Sequence, residues 1–346
     1  MSELSGMTGK GPGRSRLAVV AVAIALLLFP VIATPFHLDL AAQVFLASIG
    51  ALSLMLLTGF AGQVSLGHAG LIAAGAFTAG ILSKEAGLPI YINLPAAAIV
   101  GALLGLLFGL PSLRLRGLYL AVSTLALHFA VVYLGGEYET KRGLSSGIML
   151  DPPSLFGWPL TSGRAWYYIL LLGAVITLWL CRNILRTRTG RAWGALHAHE
   201  AVAAALGIHV PRAKLLAFVI SSSMTAVGGA LFAYYRGFVS VEAFSLYLSI
   251  QYVAMVIIGG MGSLVGALLG AAFVTLFPYA IENLIMALPG ASRYAGSIFA
   301  ANYAAFGLVM ILFLMFEPRG LVGIWHRVVQ KLRVVKTSAA KNGAGR

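Results

Sequence analysis

The sequence predicts an all-α, polytopic integral membrane protein of about ten transmembrane helices, some of them broken at glycines. Three observations predict it. Hydrophobic residues make up 60% of the 346 and charged ones only 10%, with a mean hydropathy of +0.92, a surface that lipid accepts on many helices and water does not. The apolar residues fall in runs of roughly the length that crosses a hydrocarbon core. The 41 glycines suit close helix approach and helix breaks inside a membrane.

Bounded by charge or by Gly/Pro clusters, the runs lie at 17–36, 40–58, 65–83, 90–110, 118–134, 166–181, 213–235, 246–259, 263–285 and 298–316. Residues 1–16 then form an N-terminal tail, 17–316 the membrane domain, and 317–346 a basic tail. Placing the N-terminus inside puts 18 Lys/Arg on the inner side and 6 outside: Lys84, Lys141, Arg142, Arg164, Arg236 and Arg293. Cationic loops stay cytoplasmic, so both termini are expected inside. The first run, after Lys10, Arg14 and Arg16, also fits a signal peptide. Its length and the late Pro30 favour a retained helix; cleavage would leave nine spans in the same orientation.

The +14 charge sits beside spans and not on one face of a soluble domain, which argues against nucleic acid as a partner. Cys181, the one cysteine, lies at the end of a run with no ligand-type neighbours and reads as structural. No phosphate loop or H-E-x-x-H is present, so no enzyme and no resident cofactor or metal is expected. Formal charge is nearly missing from the spans, which argues against a proton relay or voltage sensor. Glu282, near the outer end of span nine, reads as a carboxylate reaching the interface.

Two glycine-rich interruptions are candidates for the translocation path. GFAGQVSLGHAG (59–70) carries Gly62, Gln63, Ser65, Gly67 and His68; GGMGSLVGALLG (259–270) carries Gly259, Gly260, Gly262 and Ser263. The second follows a run of about 14 residues, too short for an ordinary span. Breaks free backbone groups for a ligand, and the next helix begins at a positive dipole end. Ser65 and Ser263 suit N-cap positions there. Tight turns and helix packing explain the same glycines equally well. His128 and Thr124 share span five and, like His68, serve either a substrate or an interhelical hydrogen bond. The outer segment 135–165, with Pro152-Pro153, reads as a loop that either meets a solute-binding protein or is simply solvated.

The loop 182–212 is the most distinctive stretch. With Lys214 it brings six Lys/Arg against one acid. After Thr189 and Gly190 the spacing predicts a helix from Arg191 to Leu206, ended by Gly207 and kept from resuming by Pro211. Trp193, Leu196, His197 and Glu200 would share one face. That face would dock a partner groove or lie in the headgroups.

GQVSLGHAGLIAAGAFTAG (62–80), RLRGLYLAVSTLAL (114–127), GRAWGALHAHEAVAAALGI (190–208), KLLAFVISSSMTAVGGALFAYYRG (214–237), IIGGMGSLVGALLGA (257–271) and EPRGLVGI (317–324), in this order, closely resemble permease subunits of ABC importers for branched-chain amino acids, the LivM type. The resemblance covers nearly the whole chain. It implies the ABC importer permease fold, a bacterial inner-membrane location and alternating access. It also implies a second homologous permease, two cytoplasmic ATPases that hold ATP and Mg, and an extracytoplasmic binding protein. Gly190, Arg191, Glu200, Ala201 and Gly207 fall in the family's coupling segment. Three departures stand out. Glu200 to Gly207 is one residue longer than the usual E-A-A-x-x-x-G. His128-Phe129 replaces a common Gly-Glu, and Lys141 to Leu144 replaces a T-G-G-rich start. Urea, amide and other amino-acid importers share the scaffold. The other classes weighed are an ion-gradient-driven carrier without ATPases and a non-transporting scaffold.

Overall fold

The computed structural model describes residues 12–113, 115, 117–144, 147–155, 158–287, 298–317, 320–324 and 327. Lys10, Arg114, Arg116, Ser145, Ser146, Arg293 and the basic tail beyond 327 lie outside the described residues.

The helices are α1 (Pro12–Ile32), α2 (Pro35–Leu54), α3 (His68–Ala86), α4 (Ile90–Ser112), α5 (Leu118–Lys141), α6 (Gly163–Arg186), α7 (Arg188–Ala198), α8 (Glu200–Ala205), α9 (Val210–Arg236), α10 (Leu246–Gly259), α11 (Leu264–Met286) and α12 (Ile298–Phe316). Each expected span corresponds to one of them. Among the described residues, six stretches are long and apolar enough to cross a membrane by length and composition, including Pro35–Phe60, Gly163–Arg186 and Val210–Arg236. The protein is a multi-pass membrane protein.

Several boundaries differ from the sequence reading. Helix α5 continues to Lys141, because Gly135 and Gly136 do not stop a helix whose neighbours pack against it, so the connection to α6 begins later than 135. In it β2 (Ser154–Leu155) pairs antiparallel with β3 (Trp158–Pro159), and β1 (Ile148–Met149) pairs antiparallel with β4 (Phe238–Val239), which follows α9. Cys181 is buried inside α6 and not at its end, since the helix runs on to Arg186.

Helix α9 is the central element, packed most extensively on α4 and α3. The α3–α9 crossing is close because Gly75 and Gly229 face each other's backbones: a Cβ on Gly75 would run into the Ala226 carbonyl, and one on Gly229 into that of Ile72. Such contact replaces the hydrophobic driving force that lipid does not supply. Helix α2 packs on α6 and α11, α10 on α11, and α11 on α12. Tyr167 and Tyr168 donate to the carbonyls of Leu26 and Leu27, at 2.8 and 3.0 Å, and fasten α1 to α6. Leu103 and Leu107 on α4, Phe129 on α5, and Leu172 and Trp179 on α6 point outward, the lipid-facing side.

Candidate transport and coupling site

The site is built at one end of the bundle, where three sequence motifs meet. Helix α2 does not stop at Leu54 but widens into a π-helical turn, Met55–Phe60. Ala61 N–H then donates to Leu56 O at 3.1 Å and Gln63 N–H to Leu57 O at 3.0 Å, and the chain unwinds over 61–67. π-turns commonly mark functional positions. Gly62 turns the chain with φ +69°, a conformation that costs an L side chain roughly 1–2 kcal/mol.

Helix α3 starts at His68 with Gly67 as its N-cap residue and no side-chain cap of its own. Ser65 therefore does not cap it; its hydroxyl accepts only the Gly67 N–H, at 3.4 Å. Hydroxyls from two other helices satisfy the exposed amides instead. Leu66 N–H donates to Thr124 Oγ1 and Ala69 N–H to Ser249 Oγ, each at 2.9 Å. The helix end is thus fixed by tertiary contacts, which a local capping rule cannot see. A Cβ on Gly67 would strike the Thr124 carbonyl, and one on Gly70 would lie 2.6 Å from His128 Cα. Thr124 and His128, one turn apart on α5, therefore form the wall on which the break rests.

His68 is buried, with its ring 4.7 Å from that of Tyr252. Its Nε2, His128 Nδ1 and Gln63 Oε1 are buried with no hydrogen-bond partner. Buried polar atoms are nearly always satisfied, so three orphans around one break mark it as a polar seam through an otherwise apolar bundle.

The second break lies against the first. Gly260 and Gly262 take φ +112° and +79°, and a Cβ on Gly59 would lie 2.9 Å from Gly262 N. A Cβ on Gly259 would run into the Gly266 carbonyl. Ser263 caps α11, accepting the Gly266 N–H at 3.2 Å. Gly320 also closes on this turn, where a Cβ would lie 2.6 Å from Gly260 N.

The basic loop meets the same end, and it differs from expectation in four ways. It folds as two helices and not one: His199, extended at φ −156° and ψ 108°, separates α7 from α8. Helix α7 begins at Arg188, so Thr189 and Gly190 lie within it. Pro211 opens α9 near its first position and does not block it, since the missing N–H there costs nothing. The Trp193 and Leu196 face turns inward. Trp193 is fully buried and its indole N–H donates to Ala213 O at 2.9 Å; an apolar ring with one donor finds both lipid-free packing and an acceptor there.

Glu200 accepts from Lys214 Nζ at 2.9 Å, and Gln63 Nε2 donates to Lys214 O at 3.2 Å. His197 lies over Gly62, where a Cβ would sit 3.0 Å from His197 Nδ1. Arg191 Nη1 donates to Arg186 O at 3.0 Å, and Gly190 packs where a Cβ would meet Leu185 Cα. Gly207 ends α8 at φ +83°. Arg191, His197, Ala201, Val202 and Leu206 are among the exposed residues of this segment, so His197 does not share the buried face of Trp193 and Leu196. Lys214, Gly59, Ser249, Tyr252 and Gly320 were not singled out as site residues in the sequence, because their partners lie on other elements and leave no periodic signal.

A separate cavity of about 290 Å³ opens between α2, α9, α10 and α11, lined among others by Gln43, Gly50, Tyr235, Arg236 and Tyr252. None of the proposed path residues lines it. Among the described residues no group of His, Cys, Asp or Glu is placed to hold a metal ion.

Lipid-facing helices around a polar seam, with a small basic helical segment packed on glycine breaks, are the architecture of a membrane permease subunit, the class that the family match gives. Residues 36–316 match the family described as branched-chain amino acid transport system / permease component, and the chain belongs to that family. It is similar to the high-affinity branched-chain amino acid transport system permease protein LivM of Salmonella typhimurium and of Escherichia coli K12. Each is 30% identical over 333 residues, covering 89% of this chain and 75% of theirs. The autoinducer 2 import system permease protein LsrC of an Enterobacter species is 32% identical over 194 residues, 53% of this chain and 54% of its own. No solved structure matches significantly.

Proposed function

We propose that this chain is the LivM-type half of an ATP-driven importer of aliphatic amino acids in a bacterial inner membrane. Its termini and the 182–212 segment lie in the cytoplasm. A second homologous permease completes the membrane unit, two ATPases supply ATP and Mg chemistry, and an extracytoplasmic binding protein delivers the solute. The LivM relatives align with nearly all of this chain and the LsrC relative with about half, which favours an amino acid over autoinducer 2.

One observation carries the reading. The coupling segment touches the glycine break directly, through His197 over Gly62 and through Glu200, Lys214 and Gln63. A push on Val202 and Leu206, the exposed apolar side chains of this segment, is transmitted by rigid contacts to the first turn of α9 and to residues 61–67. Closing of the ATPase dimer would thereby tilt α9 and shift the start of α3, opening the path alternately to either side. The break residues Gly62, Gln63, Ser65, Gly67, His68, Gly259, Gly260, Gly262 and Ser263, with Thr124 and His128, act as the hinge and inner lining of that path.

The test is copurification and uptake. Val202→Glu with Leu206→Glu, both exposed, is expected to leave the permease folded but to lose the ATPases and ATP-dependent leucine uptake in proteoliposomes. Retention of both would remove the docking assignment. Uptake by the wild-type chain with no ATPase bound would make it a gradient-driven carrier.

A further inference from the structure

The cavity between α2, α9, α10 and α11 is graded from a charged mouth to an apolar interior. Leu46, Ile72, Met255 and Val274 line its depth. At the mouth, the Arg236 guanidinium lies 5.8 Å from the centre of the Tyr235 ring, and the hydroxyl of Tyr235, a lining residue, donates to the carboxylate of Asp39, which sits beside the lining and not in it. Gln43 Nε2 donates to the same carboxylate at 2.7 Å, and the Tyr279 hydroxyl donates to Gln43 Oε1 at 3.3 Å.

Tyr235 therefore holds a cation near its ring and an anion at its hydroxyl. Neither charge is in an ion pair with another described residue. A guanidinium on the lining and a carboxylate bonded to two lining residues, beside an apolar pouch, complement a ligand that carries both charges at one carbon and an aliphatic chain beyond it. The guanidinium fork matches a carboxylate in two parallel hydrogen bonds. Urea or a neutral polyol offers no charge to either group and no hydrocarbon to the depth. The volume, about 290 Å³, is at the small end of pockets that enclose small molecules.

We propose that this cavity binds a zwitterionic aliphatic amino acid. The carboxylate lies on Arg236, the ammonium on Asp39 and Gln43 Oε1, and the side chain among Leu46, Ile72, Met255 and Val274. The inference rests on the importer reading and deepens it: the permease itself selects its solute, beside any delivery protein. Tyr252 forms part of the wall, and its ring abuts that of His68, so an occupant presses on the helix that begins at the glycine break.

The proposal is tested in the assembled transporter in nanodiscs. Thr275 lines the cavity, and the sole native cysteine of this chain, Cys181, is buried, so a Thr275→Cys variant gives this chain one accessible thiol, whose alkylation is read by mass spectrometry of this subunit. Leucine is expected to slow its alkylation by a methanethiosulfonate reagent, and isocaproate and isopentylamine to do so more weakly. Adding Arg236→Gln is expected to raise the half-protecting leucine concentration about tenfold or more and to abolish the difference between leucine and isopentylamine. Adding Asp39→Asn is expected to do the same for leucine against isocaproate. Arg236→Lys keeps the charge and is expected to recover part of the protection, which separates binding from misfolding. Absence of leucine protection, equal protection by urea or a polyol, or protection indifferent to Arg236→Gln and Asp39→Asn would each overturn the site. The importer reading fails separately, if leucine protects but the wild-type complex shows no ATP-dependent uptake.

Discussion

Lys214 Nζ lies 2.9 Å from Glu200 Oε1, across fourteen residues of sequence, and this pair locks the segment between α6 and α9 onto the first turn of α9. The pair is partly shielded, with side-chain exposures of 11% for Lys214 and 30% for Glu200. It is more than a surface ion pair, whose net worth is about 0–1 kcal/mol, and less than a fully desolvated one.

Lys214→Met is expected to cost on the order of 1–3 kcal/mol, because it leaves the Glu200 carboxylate short of a donor. Glu200→Gln keeps an acceptor and is expected to cost less. Thermal unfolding of the purified complex reads both, and the double variant Glu200→Met with Lys214→Met is expected to be less damaged than the sum of the singles. Additive losses would show that the two side chains act independently. Solute-stimulated ATP hydrolysis is expected to fall in each single variant even where basal hydrolysis persists.

Trp193 is expected to be the structural anchor of α7. Trp193→Ala empties a fully buried site and is expected to cost about 3–5 kcal/mol. Trp193→Phe loses chiefly the bond to Ala213 O, about 1 kcal/mol. Uptake that survives Trp193→Ala at the wild-type rate would show that the segment works without this anchor.

Gly62 and Gly87 provide an internal comparison. Both have positive φ, +69° and +60°, but a Cβ on Gly87 meets nothing within 4 Å while one on Gly62 meets His197. Gly87→Ala is expected to cost only the backbone strain of about 1–2 kcal/mol and to leave uptake intact. Gly62→Ala is expected to add a loss of uptake, and Gly62→Leu and Gly262→Leu to abolish it while the subunits still assemble. Equal effects at Gly62 and Gly87 would reduce the break to a turn.

Ser249→Ala and Thr124→Val each remove a hydroxyl that satisfies an amide at the start of α3. Each is expected to lower stability by about 1 kcal/mol, the size of a lost N-cap. Hydrogen exchange at Leu66 and Ala69 is expected to quicken specifically, Leu66 in Thr124→Val and Ala69 in Ser249→Ala. Unchanged protection at these amides would contradict the tertiary capping.

The membrane class and the approximate place of each helix were legible in the sequence, because hydrocarbon imposes one requirement, a long apolar run, at every span. The short α10 and the two glycine interruptions were legible for the same reason: they depart from that requirement. The helical character of the 182–212 loop was legible from its spacing. Its internal break at His199 was not, since nothing near His199 forbids a continuous helix; the break lets Trp193 reach Ala213 while Glu200 reaches Lys214. The direction of the Trp193 face was also inaccessible, because periodicity tells which residues share a face and not what that face meets.

The sequence by itself therefore determined a glycine-broken helical permease with a basic helical loop, since length, hydropathy and motif order are local properties. Only the tertiary structure decided that Gly62, Gly262, Gly320 and His197 converge on one end, that Thr124 and Ser249 cap a helix distant in sequence, and that Tyr235 at the cavity mouth has Arg236 near its ring and Asp39 at its hydroxyl. Those relations depend on which helices pack together. In a membrane that choice rests on backbone approach at glycines such as Gly75 and Gly229 and on a few buried polar contacts, not on hydrophobicity, which is alike on every face.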